Sequence, residues 1–297
     1  SAYRSATLSG GTPGKDARGL ELLAPESLEL HLHPSLAGTV PVIVAGRRED
    51  FVSLVQAFCY RNEPRDVPAS MGACHVSGYN NWDRIHRHRR RWESEHPGRS
   101  DESAWREEFA RLRERKAEFQ DRFVILSRGP YSAVSAGELG MTEDDWLERS
   151  LVIRRDHECT HAFTLRVFGA LGKNLLEELI ADYVGLIGAF GRYRADLARR
   201  FLGLEGFPAY REGGRLENYR GTPPLSVAAF ASLVSLANAA ITSLERWDSA
   251  HPGGRDSTAR LSRSAFVLNG LTLEELAYPG CPSNLEGVLA RLPDAGV

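Results

Sequence analysis

His157-Glu158-Cys159-Thr160-His161 and, seventeen positions beyond the second histidine, Glu178-Leu179-Ile180-Ala181-Asp182 are the stretch on which the reading of this chain turns. Two histidines four residues apart on a helix share one face, so both imidazoles can reach a single ion. Glu158 points close to the same place, where it can act as general base toward a water activated by that ion. A carboxylate from a second helix completes three protein ligands and leaves a fourth position open, which separates a catalytic zinc site from a structural one. The expectation is one Zn2+ held by His157, His161 and Glu178.

The bland alternative is a solvated, salt-bridged helix face. The flanks argue against it, because Ala162, Phe163, Leu165, Val167 and Phe168 make this helix mostly apolar and hence buried. Two buried histidines and a glutamate on one face are costly unless they bind something. Glu177 and Glu178 are adjacent, and each has a job. Glu177 stands at the third position of a helix capped by Asn174, where it can fold back onto the cap. Glu178 lies four residues before Asp182, so those two carboxylates share a face. Metal-bound histidines usually donate their other ring N–H to a carboxylate, and Asp182 is placed to receive it.

Outward from the motif, the chain reads as a mixed first half and a helical second half. Residues 1–19 are rich in Gly, Ser and Thr and predict a loose arm. Alternation predicts strands over Leu28 to His33 and Val40 to Val44, and the apolar run Phe123 to Leu126 a buried strand. A helix is expected from Glu49 to Tyr60, a loop-rich stretch from Asn62 to Trp82, and a charged amphipathic helix from Glu102 to Gln120. Tyr131 to Ala136 reads as a further, exposed strand. Thr142 and Asp145 make a capping-box-like helix start. The motif helix is expected from about Leu151 to Phe168, stopped by Gly169 and Gly172. Beyond Asn174 everything looks helical, chiefly 193–203, Ser226 to Trp247, 258–268, 272–277 and 283–292.

The two motifs together, His157-Glu158-Cys159-Thr160-His161-Ala162-Phe163-Thr164 and Glu178-Leu179-Ile180-Ala181-Asp182-Tyr183-Val184-Gly185, resemble the active-site helices of the thermolysin-like gluzincin metallopeptidases. The likeness covers residues 151–190. It implies His157, His161 and Glu178 as ligands, Glu158 as general base and Asp182 as the aspartate that orients a ligating histidine. The gap between the motifs is a few residues shorter than in thermolysin. No clear counterpart of that family's downstream catalytic histidine follows, since His251 stands in a Ser-Ala-His-Pro-Gly-Gly turn. The implied fold is α+β and zincin-like. A flexible arm (1–20) precedes an α/β lobe (21–172) with a small mixed sheet on the HExxH helix, and a helical lobe (173–297) carries the third metal ligand.

The implied activity is that of a zinc hydrolase, a metallopeptidase acting on a peptide or protein. Two alternatives are a different metal-dependent enzyme on the same scaffold, and a metal-stabilised binding module without catalysis. The oxyanion of such a reaction needs a donor besides the metal. Tyr131, Tyr183, Tyr210, Tyr219 and His75 are the candidates, with Tyr131 favoured because an edge strand there could pair with an extended substrate. In the loop around Gly78, Asn80 and Asn81 could hydrogen-bond a peptide, against the plainer reading of a packed structural loop.

Other features read as structural. The basic run Arg84 to Trp92 is followed closely by Glu93, Glu95, Asp101 and Glu102, so a solvated surface helix is the default. His31 and His33 share a strand face and read as an exposed edge. With net charge −2 and 26% charged residues, nothing calls for nucleic acid or an anionic membrane. No apolar run is expected to reach the roughly 20 residues of a membrane helix. Four cysteines without C-x-x-C spacing read as free thiols, Cys159 as a buried one. With no apolar signal segment at the start, the expected location is the cytoplasm.

Overall fold

The computed structural model describes residues 20–60, 63, 65–99, 101–172, 174–251 and 258–290. The arm expected over 1–20 lies, but for Leu20, outside the described residues. The architecture is α+β. Strands β1 (Glu29–Ser35) and β2 (Gly38–Ala45) form an antiparallel hairpin. Strand β2 pairs in parallel with β4 (Gln120–Ser127), and β4 pairs antiparallel with β3 (Ala73–Asn80), giving the order β1-β2-β4-β3.

Both faces of the two central strands are covered, which is why β4 reads as an unbroken apolar run. Val42, Val44, Val124 and Leu126 join the main core with the motif helix. Phe123, Ile125 and Val76 meet Phe51, Leu54 and Val55 of helix α1 (Arg48–Cys59) on the other face. At the β1 edge the alternation points the other way from a core strand. Leu30 and Leu32 are each 69% exposed, while His33 turns inward to meet Asp156 at 3.0 Å.

Two expected irregular or extended segments differ. The stretch expected as loop contains β3. Its alternation, with Cys74 and Val76 packed toward α1, is masked in sequence by Ser77-Gly78, where the pairing shifts register between Val76 and Tyr79. The strand expected at Tyr131 to Ala136 is instead a single 3-10 turn, Tyr131–Ala133. Its second and third residues, Ser132 and Ala133, have φ of 52° and 57°, incompatible with a strand.

Helices α2 (Trp82–Glu95) and α3 (Glu102–Glu114) are capped by Asn81 and Asp101. They enclose a small core of their own around Ile85, Trp92, Trp105, Leu112 and Phe119. The basic run lies on α2 and is ion-paired in part, with Arg84 to Asp121 at 2.8 Å, His88 to Glu108 at 2.9 Å and Arg89 to Glu93 at 2.7 Å.

After the short α4 (Ala136–Leu139) comes α5 (Glu143–Phe168), a single helix of 26 residues capped by Thr142. No glycine or proline interrupts it, so the expected start at Thr142 and the motif helix are one element. Gly169, with φ of 76°, ends it. Helix α6 (Leu175–Phe190) returns against it. The two pack closely because Gly185 and Gly188 present no side chain. A Cβ on Gly185 would sit 2.7 Å from the Ile153 carbonyl oxygen, and one on Gly188 2.1 Å from Asp156 Oδ2.

Helices α7 (Ala195–Leu202), α8 (Val227–Ala250), α9 (Thr258–Leu268), α10 (Leu273–Ala277) and α11 (Cys281–Leu289) complete the fold. One apolar core runs from Val42 and Val124 through Trp146, Ile153 and Leu179 to Ile241, Leu268 and Leu285, and so crosses the expected boundary at 172/173. Contrary to the sequence expectation, α8 is long and apolar enough to cross a membrane, with a mean hydropathy of 1.7. Phe230, Val234, Ala237, Ile241, Leu244 and Trp247 of this helix are buried in that core, as in a core helix of the same composition.

Candidate metal centre

Three anchors fix α5 against the sheet and the turn that follows β4. Trp146 Nε1 donates to the Val134 carbonyl at 2.7 Å, and the Tyr131 N–H donates to Ser150 Oγ at 3.0 Å. Arg154, buried under Gly72, donates to the carbonyls of Gly129 and Pro130 at 2.6 and 2.7 Å. One turn further on, His157, Glu158 and His161 emerge together.

Helix α6 brings Glu178 to them. Asn174 Oδ1 caps this helix by accepting the Glu177 N–H at 3.0 Å, and Glu177 Oε1 accepts the Gly172 N–H at 2.6 Å. Glu177 is thereby engaged at the helix start, though with the Gly172 N–H, two residues before the Asn174 cap onto which it was expected to fold. The Nε2 atoms of His157 and His161 lie 3.1 Å apart. Glu178 Oε2 is 3.5 Å from His157 Nε2, and Glu178 Oε1 is 3.3 Å from His161 Nε2. Three ligands about 2.0–2.1 Å from a tetrahedral zinc are separated from one another by roughly 3.4 Å, so these atoms fit such an ion with little rearrangement. Among the described residues, they are the group of His, Cys, Asp or Glu side chains placed to hold a metal.

Behind His157 lies a buried network. Its Nδ1 is 2.9 Å from Asp182 Oδ1, which also accepts the Tyr131 hydroxyl at 2.6 Å. Arg215 Nη1 donates to the same hydroxyl at 2.9 Å, and Arg215 Nη2 donates to Asp182 Oδ2. Asp182 is 1% exposed. Burial opposes its charge, but the Arg215 guanidinium and the His157 hydrogen bond hold it below the usual carboxylate range. Glu178 is likewise held well below that range, its burial outweighed by the two histidines. For His157, burial disfavours the imidazolium, yet hydrogen bonds to Asp182 and Glu178 push it up to about 10. Glu178 and Asp182 thus flank His157 at its two ring nitrogens, Nε2 and Nδ1, so that both favour positive charge there.

Glu158 differs from its neighbours. It is half-buried and makes no hydrogen bond or ion pair with any described residue, which leaves its carboxylate available. Edge strand β3 runs past this side. Cys74 lies within the electrostatic reach of Glu158, and His75 within that of His161. His75 Nε2 is buried without a partner, and burial with the nearby His161 depresses this ring to about 4.

The oxyanion candidates separate by position. Tyr131 is 5% exposed, and its hydroxyl faces Nδ1 of His157, away from the face on which the three ligand atoms converge. It therefore positions Asp182 and His157 and is not placed to meet a reacting oxygen, because the expected edge strand is a buried turn. Tyr183 is fully buried in α6. The Tyr210 hydroxyl donates to the Gly214 carbonyl at 2.8 Å. Tyr219 sits in the electrostatic field of Glu178, and burial together with that carboxylate pushes it upward, so it stays protonated at neutral pH. Of the five, Tyr219 and His75 are the two that feel the charge of Glu178 and His161 without being hydrogen-bonded behind His157.

Asn80 and Asn81 are occupied elsewhere. Asn80 Oδ1 accepts from Gln120 at 3.0 Å, while Asn81 caps α2 and donates to Asp121 at 2.7 Å. Both serve the β3–β4 junction, where their short polar side chains stop the strand and start the helix. Arg215 was not legible as a site residue. It lies 33 positions from Asp182 in a 3-10 turn (Arg215–Tyr219), with no local pattern to mark it. A cavity of about 490 Å³ on the opposite side of α5, lined by His33, Arg149, Asp156, Cys159 and Gly188, contains none of the three ligands.

The chain belongs to DUF7005, a family of unknown function, whose profile matches residues 1–280. No curated protein and no solved structure matches it.

Proposed function

We propose that this protein is a zinc-dependent hydrolase, a metallopeptidase of zincin-like fold. The observation that carries the reading is the triangle of His157, His161 and Glu178, with ligand atoms 3.1–3.5 Å apart and an uncommitted Glu158 beside it. A small mixed sheet on the motif helix, followed by a helix that supplies the third ligand, supports the zincin-like assignment. Bound there, zinc supplies a Lewis acid and lowers the pKa of water to about 7.

The chain's own groups do the rest. Asp182, clamped by Arg215 and Tyr131, fixes the His157 ring with Nε2 forward. Glu158 takes the proton of the attacking water and delivers it to the leaving group. Tyr219 and His75, both neutral at pH 7, are the donors available to a developing oxyanion. The free edge of β3, which pairs only with β4 among the described strands, supports an extended peptide as substrate by strand addition.

Elemental analysis and peptide-library digestion with wild type and Glu158→Gln test this reading. The expected result is one zinc per chain in both proteins, with cleavage by the wild type alone. Equal inertness of the two metal-loaded proteins toward peptides would replace the peptidase reading. A metal-stabilised binding module or a non-peptidase enzyme would then take its place.

A further inference from the structure

A second chemically competent pair lies on the far side of β3 from the metal ligands. Cys59 is the last residue of α1 and Cys74 the second of β3, fifteen positions apart with no motif to connect them. The fold brings their Sγ atoms to 3.1 Å. A disulfide has an S–S length of about 2.0 Å, so closing the pair asks for an approach of about 1 Å, which side-chain torsions can supply. Both thiols are half-buried rather than sealed in the core. Cys59 also lines a surface cleft with Tyr60, Glu63 and Arg65. The other two cysteines, Cys159 and Cys281, are each 2% exposed and serve as internal controls.

We propose that Cys59 and Cys74 are a modification site that forms an intramolecular disulfide when the protein meets a peroxide, fastening the end of α1 to the edge strand that borders the metal centre. Cys59 is the attacking partner. The two sulfurs share one hydrogen bond in which either thiol can donate. Accepting it holds Cys59, the thiol that lines the cleft, below the usual thiol range, while the same contact and burial raise Cys74. The Cys59 thiolate forms an S–O bond to one peroxide oxygen as the O–O bond breaks, and the released hydroxide takes up a proton and leaves as water. Cys74 sulfur then attacks the sulfenic sulfur; the S–S bond forms, the S–O bond breaks, and the Cys74 proton departs with the second water. Two thiols are oxidised and one hydrogen peroxide is reduced to two waters. A dithiol reductant reverses the change by exchange.

The inference stands apart from the metal reading, because its readout is a covalent bond. The full-length, reduced protein is treated with stoichiometric hydrogen peroxide, alkylated with iodoacetamide and digested without reductant. The expected product is a peptide pair joined through Cys59 and Cys74, restored to free thiols by dithiothreitol, with Cys159 and Cys281 alkylated only after unfolding. In Cys74→Ser, Cys59 should stop at the sulfenic acid and react with a 1,3-dione probe. In Cys59→Ser, Cys74 should remain reduced. Conversion of wild-type Cys59 to sulfinic acid with Cys74 still free would overturn the proposal, as would linkage between two chains. The wild-type map decides the matter even if either variant fails to fold.

Discussion

Arg215 donates from both terminal guanidinium nitrogens into one buried unit, to the Tyr131 hydroxyl and to Asp182 Oδ2, directly behind His157. The pair is buried on the carboxylate side, Asp182 being 1% and the Arg215 side chain 24% exposed. Removing one partner of such a pair leaves an uncompensated charge, at a cost of about 3 kcal/mol or more. Arg215→Met should therefore lower unfolding stability by about that amount in urea titrations of the ion-free protein, and Arg215→Lys should recover part of it. A change below about 0.5 kcal/mol, the range of an ordinary surface substitution, would mean that the pair is not clamped as described.

Asp182→Asn keeps the shape of the side chain and removes its charge. By its position on Nδ1 of His157, it should weaken metal binding by about 10- to 100-fold, measured by competition against a chelator of known affinity. His157→Ala and His161→Ala should each abolish stoichiometric zinc. Unchanged affinity in Asp182→Asn would reduce that residue to packing.

The raised His157 sets a pH dependence. A ligating nitrogen must be deprotonated, so metal uptake near pH 7 should release a proton, and apparent affinity should rise with pH, by up to about tenfold per unit. Calorimetry in buffers of different ionisation enthalpy reads the proton directly. The ion-free protein should behave in the opposite sense. Its His157 is pushed up to about 10, above the value near 6.5 of an unfolded chain, so the stability it contributes is fully present below pH 6.5. That contribution is lost as pH rises through about 10. Chelator-treated protein should accordingly melt lower at pH 10 than at pH 6.5, once compared with His157→Gln.

Gly185→Ala should force α5 and α6 apart, since the new Cβ would lie 2.7 Å from the Ile153 carbonyl, a backbone atom that cannot turn aside. The expected cost is about 1–3 kcal/mol. Metal affinity should fall with it, because Glu178 and the histidines ride on the two separated helices. Gly287→Ala in α11, where a Cβ meets nothing within 4 Å among the described residues, should instead be neutral or stabilising by about 0.5–1 kcal/mol. Thermal unfolding of the two variants side by side separates close approach from glycine loss in general.

The metal triangle was legible because its residues obey helical spacing, and the caps at Thr142 and Asn174 because capping is local chemistry. Strands β1, β2 and β4 announced themselves by alternation or apolar runs. Strand β3 did not, since Ser77-Gly78 breaks its pattern and prolines and glycines flank it. The alternation gave β1 its two faces, and His31 is exposed as its edge position implied. His33, on the same face, turns inward because Asp156 is there to receive it, while Leu30 and Leu32 face out. Arg215, the Cys59–Cys74 pair and the place of Tyr131 behind His157 escaped for a single reason. Their partners are 15 to 84 positions away, and only tertiary packing joins them.

Helix α5 carries Trp146 at one end and the two histidines of the proposed metal site eleven and fifteen residues later. At about 1.5 Å per residue, roughly 16 Å separates that tryptophan from the first of them. With no joint between, this element transmits displacement as a lever does. Whatever shifts the seat of Trp146 under Val134 re-aims both imidazoles together, without altering their spacing. Substitutions far from the cation should thus mistune it through orientation toward Glu178, leaving the histidine pair itself intact.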